Sequence, residues 1–341
     1  LKNSESIKHK VLRFSLPVAI FVCVLLTGLM LLVGPYSAHI DFLPDTGFAW
    51  YYWKLPEPSL LSRLLPWICF VGHQLAIWYL IYRAQQLKPG YSTRLHRFNL
   101  QAIAVNLFFV LLHIAQTKFS YDGLAQDVHV FIPQFAVILL LVLVLMLEHQ
   151  RRGLVFGKKL PLIDRLRDSI KRYHGYYFSW AIIFTFWFHP IEMTAGHLLG
   201  NFYTLLLLLQ GSLFFTRFHT DKYWKVLLES FVLVHGAVVA WLSLQGGKPE
   251  MFAFGFMVVF MVTQIYGLGW RPRTIVLWQL GFVLAMLGYY AQHWQRLTEI
   301  FRVPGALYLS VILLTLLGLA LLLCYRLVLN LIQKVAAKQQ L

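Results

Sequence analysis

Residues 12–34 read LRFSLPVAIFVCVLLTGLMLLVG, and after Arg13 the run holds no charged side chain. A helix rises about 1.5 Å per residue, so about 20 apolar residues carry a chain across the roughly 30 Å of bilayer hydrocarbon. Basic residues precede the run at Lys2, Lys8, Lys10 and Arg13, a flank that signal peptides share. The run is long for a signal peptide and offers no small-residue cleavage site, which favours a permanent first span. Read outward from it, apolar runs between charged or Pro/Gly breaks recur at 62–83, 98–117, 129–148, 176–189, 195–216, 225–245, 251–269, 274–292 and 305–326. The expectation is an all-α integral membrane protein of about ten transmembrane helices, forming one polytopic domain over residues 1–341. No internal repeat or low-complexity tract interrupts it.

Composition points the same way. Hydrophobic residues make up 59% of the 341 and charged ones 13%, where an average soluble protein carries about 25% charge. Mean hydropathy is +0.63. Membrane insertion retains Lys and Arg on the cytoplasmic side, so the formal charge of +16 speaks for orientation and against nucleic acid as a partner. With ten spans and a cytoplasmic N-terminus, only Lys54, Arg63, Lys118, Lys248, Arg296 and Arg302 fall outside, and the other 24 of the 30 cations fall inside. An omitted span would invert every later loop and spoil this bias. An N-in, C-in topology follows, in the plasma (inner) membrane if the source is bacterial. Cys23, Cys69 and Cys324 have neither disulfide nor CxxC spacing and read as small buried hydrophobes.

Two segments read as non-spanning. The external stretch 35–60 carries Trp50, Tyr51, Tyr52 and Trp53, rings that suit a headgroup layer. On the cytoplasmic side, Leu160, Ile163, Leu166 and Ile170 recur at helical spacing among Asp164, Arg165, Arg167, Asp168, Lys171 and Arg172, which predicts an interfacial helix over 160–172.

Ionisable groups in spans are disfavoured and mark protein interiors or wet cavities. The densest set is FHPIEMTAGH at 188–197, where His189, Glu192 and His197 surround Pro190 and Gly196. This predicts a broken helix pair near 189–197, because open backbone amides at membrane depth must be buried in protein or face water. His197, Gly200, Asn201, Thr204 and Gly211 then keep one face of the sixth span small and polar. On the third span Asn99, Asn106 and His113 lie seven apart, extended by Gln116 and Thr117. His129 and His293 fall toward the same external ends, while His73 and His235 fall near mid-depth. A close helix crossing with hydrogen-bonded side chains accounts for the same residues structurally.

Three functions fit this pattern. The first is a membrane-embedded His/Glu-dependent enzyme of the external leaflet, an oxidoreductase or acyltransferase, acting on a lipidic or amphipathic substrate. His189, Glu192, His197 and His235 are its candidate catalytic residues. His189, Glu192, His197, His113 and His129 are candidate ligands for Zn, Fe or Cu. The HxxE spacing lacks the HExxH arrangement of established metal sites, and one imidazole as general base serves the same chemistry without metal. The second is a haem b electron carrier with axial pairs His73/His235 or His113/His197. The third is a transporter or channel with a His-lined polar vestibule. Lipids are the expected partners, with other membrane subunits allowed.

Overall fold

A computed structural model describes residues 15–37, 40–44, 53–242 and 248–339. Trp50, Tyr51 and Tyr52 of the external stretch lie outside the described residues, as do the first four cations. The described chain is all-helical, without strands: α1 Leu16–Val33, α2 Leu60–Leu87, α3 Arg97–Phe119, α4 Phe131–Arg152, α5 Pro161–Phe188, α6 Ala195–Ser212, α7 Lys222–Leu242, α8 Pro249–Val262, α9 Pro272–Tyr290 and α10 Arg302–Gln339. Each expected apolar segment therefore holds an α-helix over most of its described residues. Seven stretches, namely α1 to α4, α7, α9 and the stretch Trp294–Asn330 that includes most of α10, are long and apolar enough to cross a membrane.

The other three helices depart from that standard for different reasons. The predicted interfacial helix and the fifth span form one continuous 28-residue helix, α5. Nothing between Ile170 and Tyr176 stops it, since Gly175 lowers helix propensity without breaking the ladder and the next proline is Pro190. Helix α6 is diluted by His197, Asn201, Thr204 and Gln210. Helix α8 is 14 residues long and stops at Thr263, whose backbone (φ −126°, ψ −60°) turns into the 3-10 segment Gln264–Leu268.

The chain divides into two compact units, Leu1–Val137 with Gly175–Leu242, and Ile138–His174 with Ser243–Leu341. In the first, α2 packs on α3, α3 on α6, and α1 and α7 flank α6. Hydrogen bonds define its two ends. At one, Lys118 at the end of α3 bonds Ser37 just after α1, Ser62 of α2 donates to Asp122, and Arg63 Nε donates to Asp127 at 2.9 Å. At the other, Asn99 Nδ2 of α3 donates to the carbonyls of Ser212 and Phe214, and Ser92 N–H donates to Phe215 O. The polar seam predicted on α3 is real and mostly structural. Asn106 Nδ2 donates to Ser212 Oγ (2.8 Å) and Leu208 O (3.3 Å), while its Oδ1 accepts from His73 Nε2 (2.7 Å).

In the second unit Val142, Leu145 and Met146 of α4, Ile163 and Leu166 of α5, Val259 of α8, and Leu307 and Val311 of α10 form the core. Outward sides of α1, α9 and α10 carry exposed Phe21, Leu25, Leu277, Trp278, Leu284, Leu313 and Leu317. Large apolar side chains exposed in this way, on α1 of the first unit and on α9 and α10 of the second, are unfavourable in water and neutral in hydrocarbon.

Candidate functional site

Helix α5 ends at Phe188 because Pro190 cannot continue it and biases His189 away from helical ψ. The chain then crosses 189–194 without regular structure and restarts at Ala195. Three contacts hold this open backbone. Ile191 N–H donates to Thr117 Oγ1 (3.2 Å), and the His189 carbonyl oxygen lies 3.2 Å from His113 Nε2. Gly123 presses against the Phe188 carbonyl so closely that a Cβ there would stand 2.7 Å from its oxygen. Helix α3 and the loop after it thus supply the groups that lipid would not.

The break turns His189 toward His197 of α6. Their ring centroids stand 4.2 Å apart, and the Trp53 indole lies against both, at 5.6 and 5.3 Å. His189 Nδ1–H donates to Pro190 O (3.4 Å), placing the lone pair of its neutral tautomer on Nε2. His197 is buried, and its Nε2 has no hydrogen-bond partner among the described residues. One turn further along α6, buried Asn201 also leaves Nδ2 without a partner there. Residues four apart share a helix face. His235 of α7 presses Nε2 into the notch at Gly200, where a Cβ would approach to 2.9 Å.

Glu192 does not join the imidazoles. Its carboxylate accepts from the Tyr121 hydroxyl, and Tyr121 packs against Phe42 at a tilt, with Phe42 in turn against Trp53. Burial pushes the Glu192 carboxyl above its ordinary range, opposed by the Tyr121 bond and the Lys118 charge. Asp122 is fully buried beside it in sequence, accepting from Gly123 N–H (2.8 Å) and Ser62 Oγ (3.2 Å), and burial raises its carboxyl to about 6.

Several expected site residues are committed elsewhere. His113 Nδ1 stands 2.9 Å from Gln116 Oε1, its Nε2 meets the His189 carbonyl, and its ring packs on Trp187 at 4.2 Å. His73 accepts from Trp187 Nε1 at Nδ1 (3.3 Å) and donates to Asn106 at Nε2. Neither residue has a nitrogen open to an iron in this arrangement, so each axial pair lacks a member. His129 is exposed at the entry to α4, where Nδ1 accepts from Phe131 N–H. His293 belongs to the second unit and is exposed beside Tyr289. Among the described residues no three His, Cys, Asp or Glu side chains gather as a metal-holding group. The predicted ligand set of His189, Glu192, His197, His113 and His129 thus reduces to one imidazole pair.

Trp53, a ring that suits a headgroup layer, walls the two imidazoles. The abundance of aromatic residues conceals Tyr121 and Trp187 in the sequence, although Tyr121-Asp122-Gly123 directly after an apolar run is a visible signal. Comparison with family models, with curated proteins and with solved structures finds no match for this chain.

Proposed function

We propose that the protein is a ten-span membrane enzyme with both termini cytoplasmic. Its His197 imidazole acts as a general base, without a metal, in acyl transfer from a lipidic donor. The observation that carries this reading is His197 Nε2, buried beside His189 and left without a hydrogen bond among the described residues. An unfilled nitrogen is costly in a structural imidazole, at about 1–3 kcal/mol, and useful in a catalytic one.

In the step this geometry supports, Nε2 takes the proton of an acceptor hydroxyl, or of water in the hydrolytic case. The hydroxyl oxygen bonds to the acyl carbon. Asn201 Nδ2–H stabilises the oxyanion, and collapse of the tetrahedral intermediate breaks the bond to the donor's leaving atom, which receives the proton from His197. His189 and Trp53 orient the ring and keep the site dry. The cation distribution supports an outer side for this end of the first unit, because the His189–His197 break lies at the same end as Lys118 and Arg63. Apolar outward faces favour lateral entry of substrate from the bilayer.

The test uses the full chain in mixed micelles with p-nitrophenyl esters of short and long acyl chains. Turnover above the spontaneous rate is expected, falling about 10²–10⁴-fold in His197→Gln and about 10²–10³-fold in Asn201→Leu, with His129→Gln unaffected. Equal turnover in wild type and His197→Gln removes the base assignment. A Soret band or stoichiometric zinc, iron or copper in purified protein replaces this reading with a haem or metal one.

A further inference from the structure

The turn that follows α4 is strained, and it leaves an apolar ring exposed. Gly153, Phe156 and Gly157 all have positive φ, at 74°, 48° and 75°. Val155 and Lys158 bridge antiparallel across the two central residues, Phe156 and Gly157. A two-residue turn with positive φ at both central positions favours Asn-Gly or Gly-Gly, because a Cβ in the left-handed region crowds the following carbonyl. A bulky Phe at the first of these positions is an outlier.

The surroundings impose this geometry. Leu154 N–H donates to Lys158 O (2.8 Å), Lys158 N–H donates to Val155 O (2.9 Å) and Phe156 N–H donates to Val262 O (2.8 Å). The Leu154 side chain is buried in the core of the second unit, and its carbonyl accepts from Thr263 Oγ1. The Phe156 ring nevertheless stays 55% exposed and meets Tyr266 edge-on, with 6.5 Å between centroids. Strain of this kind persists where the fold over-determines it, and it gathers at ligand contacts. Around the ring, Val155, Leu160 and Tyr173 are exposed as well. Over residues 155–173 six Lys and Arg face two carboxylates, Asp164 and Asp168, and Lys158, Lys159, Arg165 and Lys171 are exposed.

Apolar tips among cations suit the boundary of a bilayer, where rings enter the acyl border and cations meet anionic headgroups. Position agrees, since α4 is long and apolar enough to cross a membrane and ends at Arg152, directly before the turn. An acidic protein surface would meet the cations, but only hydrocarbon also accepts Val155, Phe156 and Leu160 without a matching pocket. We infer that the turn 154–159 is a finger that dips into an anionic lipid surface, with the Phe156 ring as its tip and Lys158 and Lys159 on the headgroups. The finger is independent of the proposed catalysis, and none of its residues belongs to that machinery.

The experiment labels Phe156→Cys with an environment-sensitive fluorophore in the otherwise cysteine-free full chain, held in nanodiscs of phosphatidylcholine with or without phosphatidylglycerol. A blue shift, and quenching by a nitroxide on the upper acyl chain, are expected with phosphatidylglycerol. Lys158→Gln/Lys159→Gln or high salt is expected to remove most of the phosphatidylglycerol-dependent part. A label that stays open to aqueous iodide in both bilayers overturns the inference, as does quenching unchanged by removing phosphatidylglycerol and both lysines. A shift produced by soluble poly-glutamate and not by phosphatidylglycerol assigns the face to an acidic protein instead. Phe156→Asn, which suits a positive φ, tests for a merely structural ring. Its thermal midpoint in neutral detergent is expected to be no lower than that of wild type, while native mass spectrometry finds less retained phosphatidylglycerol. A lower midpoint with unchanged lipid retention assigns the ring to packing on Tyr266 and overturns the finger.

Discussion

Gly123 has no room for a side chain, because the Phe188 carbonyl and the His189 backbone occupy the place of its Cβ. Gly123→Ala is expected to push the α5–α6 break outward at a cost of about 1–3 kcal/mol, lowering the thermal midpoint and reducing turnover together. A variant with unchanged midpoint and rate shows that the break is not held there. Asp122 gives a pH-dependent counterpart. Its carboxyl ordinarily titrates near 3.8 and is raised to about 6 when folded. Below about pH 4 both states hold the proton. Between about 4 and 6 only the folded state does, so stability from this group falls as pH rises through that window and is flat above it. Asp122→Asn keeps an acceptor for Gly123 N–H and removes the charge. Its melting curves from pH 4 to 7 are expected to lose that slope, and an unchanged slope assigns the titration to another group. At this scale the sequence marked His189 and His197 correctly as neighbours of a break. It did not show where Glu192 points, because Tyr121 is 71 positions away and only the fold brings it to the carboxylate.

Helix α5 shows what element boundaries depend on. The change at Gly175 from charged amphipathic to uncharged aromatic sequence reads as a boundary, yet composition alters only the environment a helix needs, while proline and capping groups decide where it stops. Helix α8 errs the other way, since 251–269 stays apolar while its backbone turns into a 3-10 segment after Val262. The α3 seam was legible from its seven-residue spacing, and its partners on α6 were not. Asn106 ties three helices by bonding His73, Leu208 and Ser212. Asn106→Leu is expected to cost about 1–3 kcal/mol for each polar group it orphans, measured as a lower midpoint in detergent. A neutral result means that those groups find other partners and that the seam does not clamp α3 to α6.

Across the whole molecule, the apolar runs made helices in a membrane legible, since hydropathy and length alone decide which segments hydrocarbon accepts. Lateral neighbours stayed hidden, which is why five histidines placed in one leaflet yield a single imidazole pair in contact. The N-in, C-in reading predicts that His129→Cys in a cysteine-free background reacts with an impermeant maleimide from outside intact cells. Lys159→Cys is expected to react only after permeabilisation, and the reverse pattern inverts the topology. The same sidedness bears on catalysis. The most direct measurement is acyl turnover by the full chain in sealed, uniformly oriented vesicles, with a chromogenic ester confined first to one side and then to the other. Turnover from the face bearing the His189–His197 break, lost in His197→Gln, is the expected result. Turnover from the opposite face only, or persisting in His197→Gln, contradicts a base at that position.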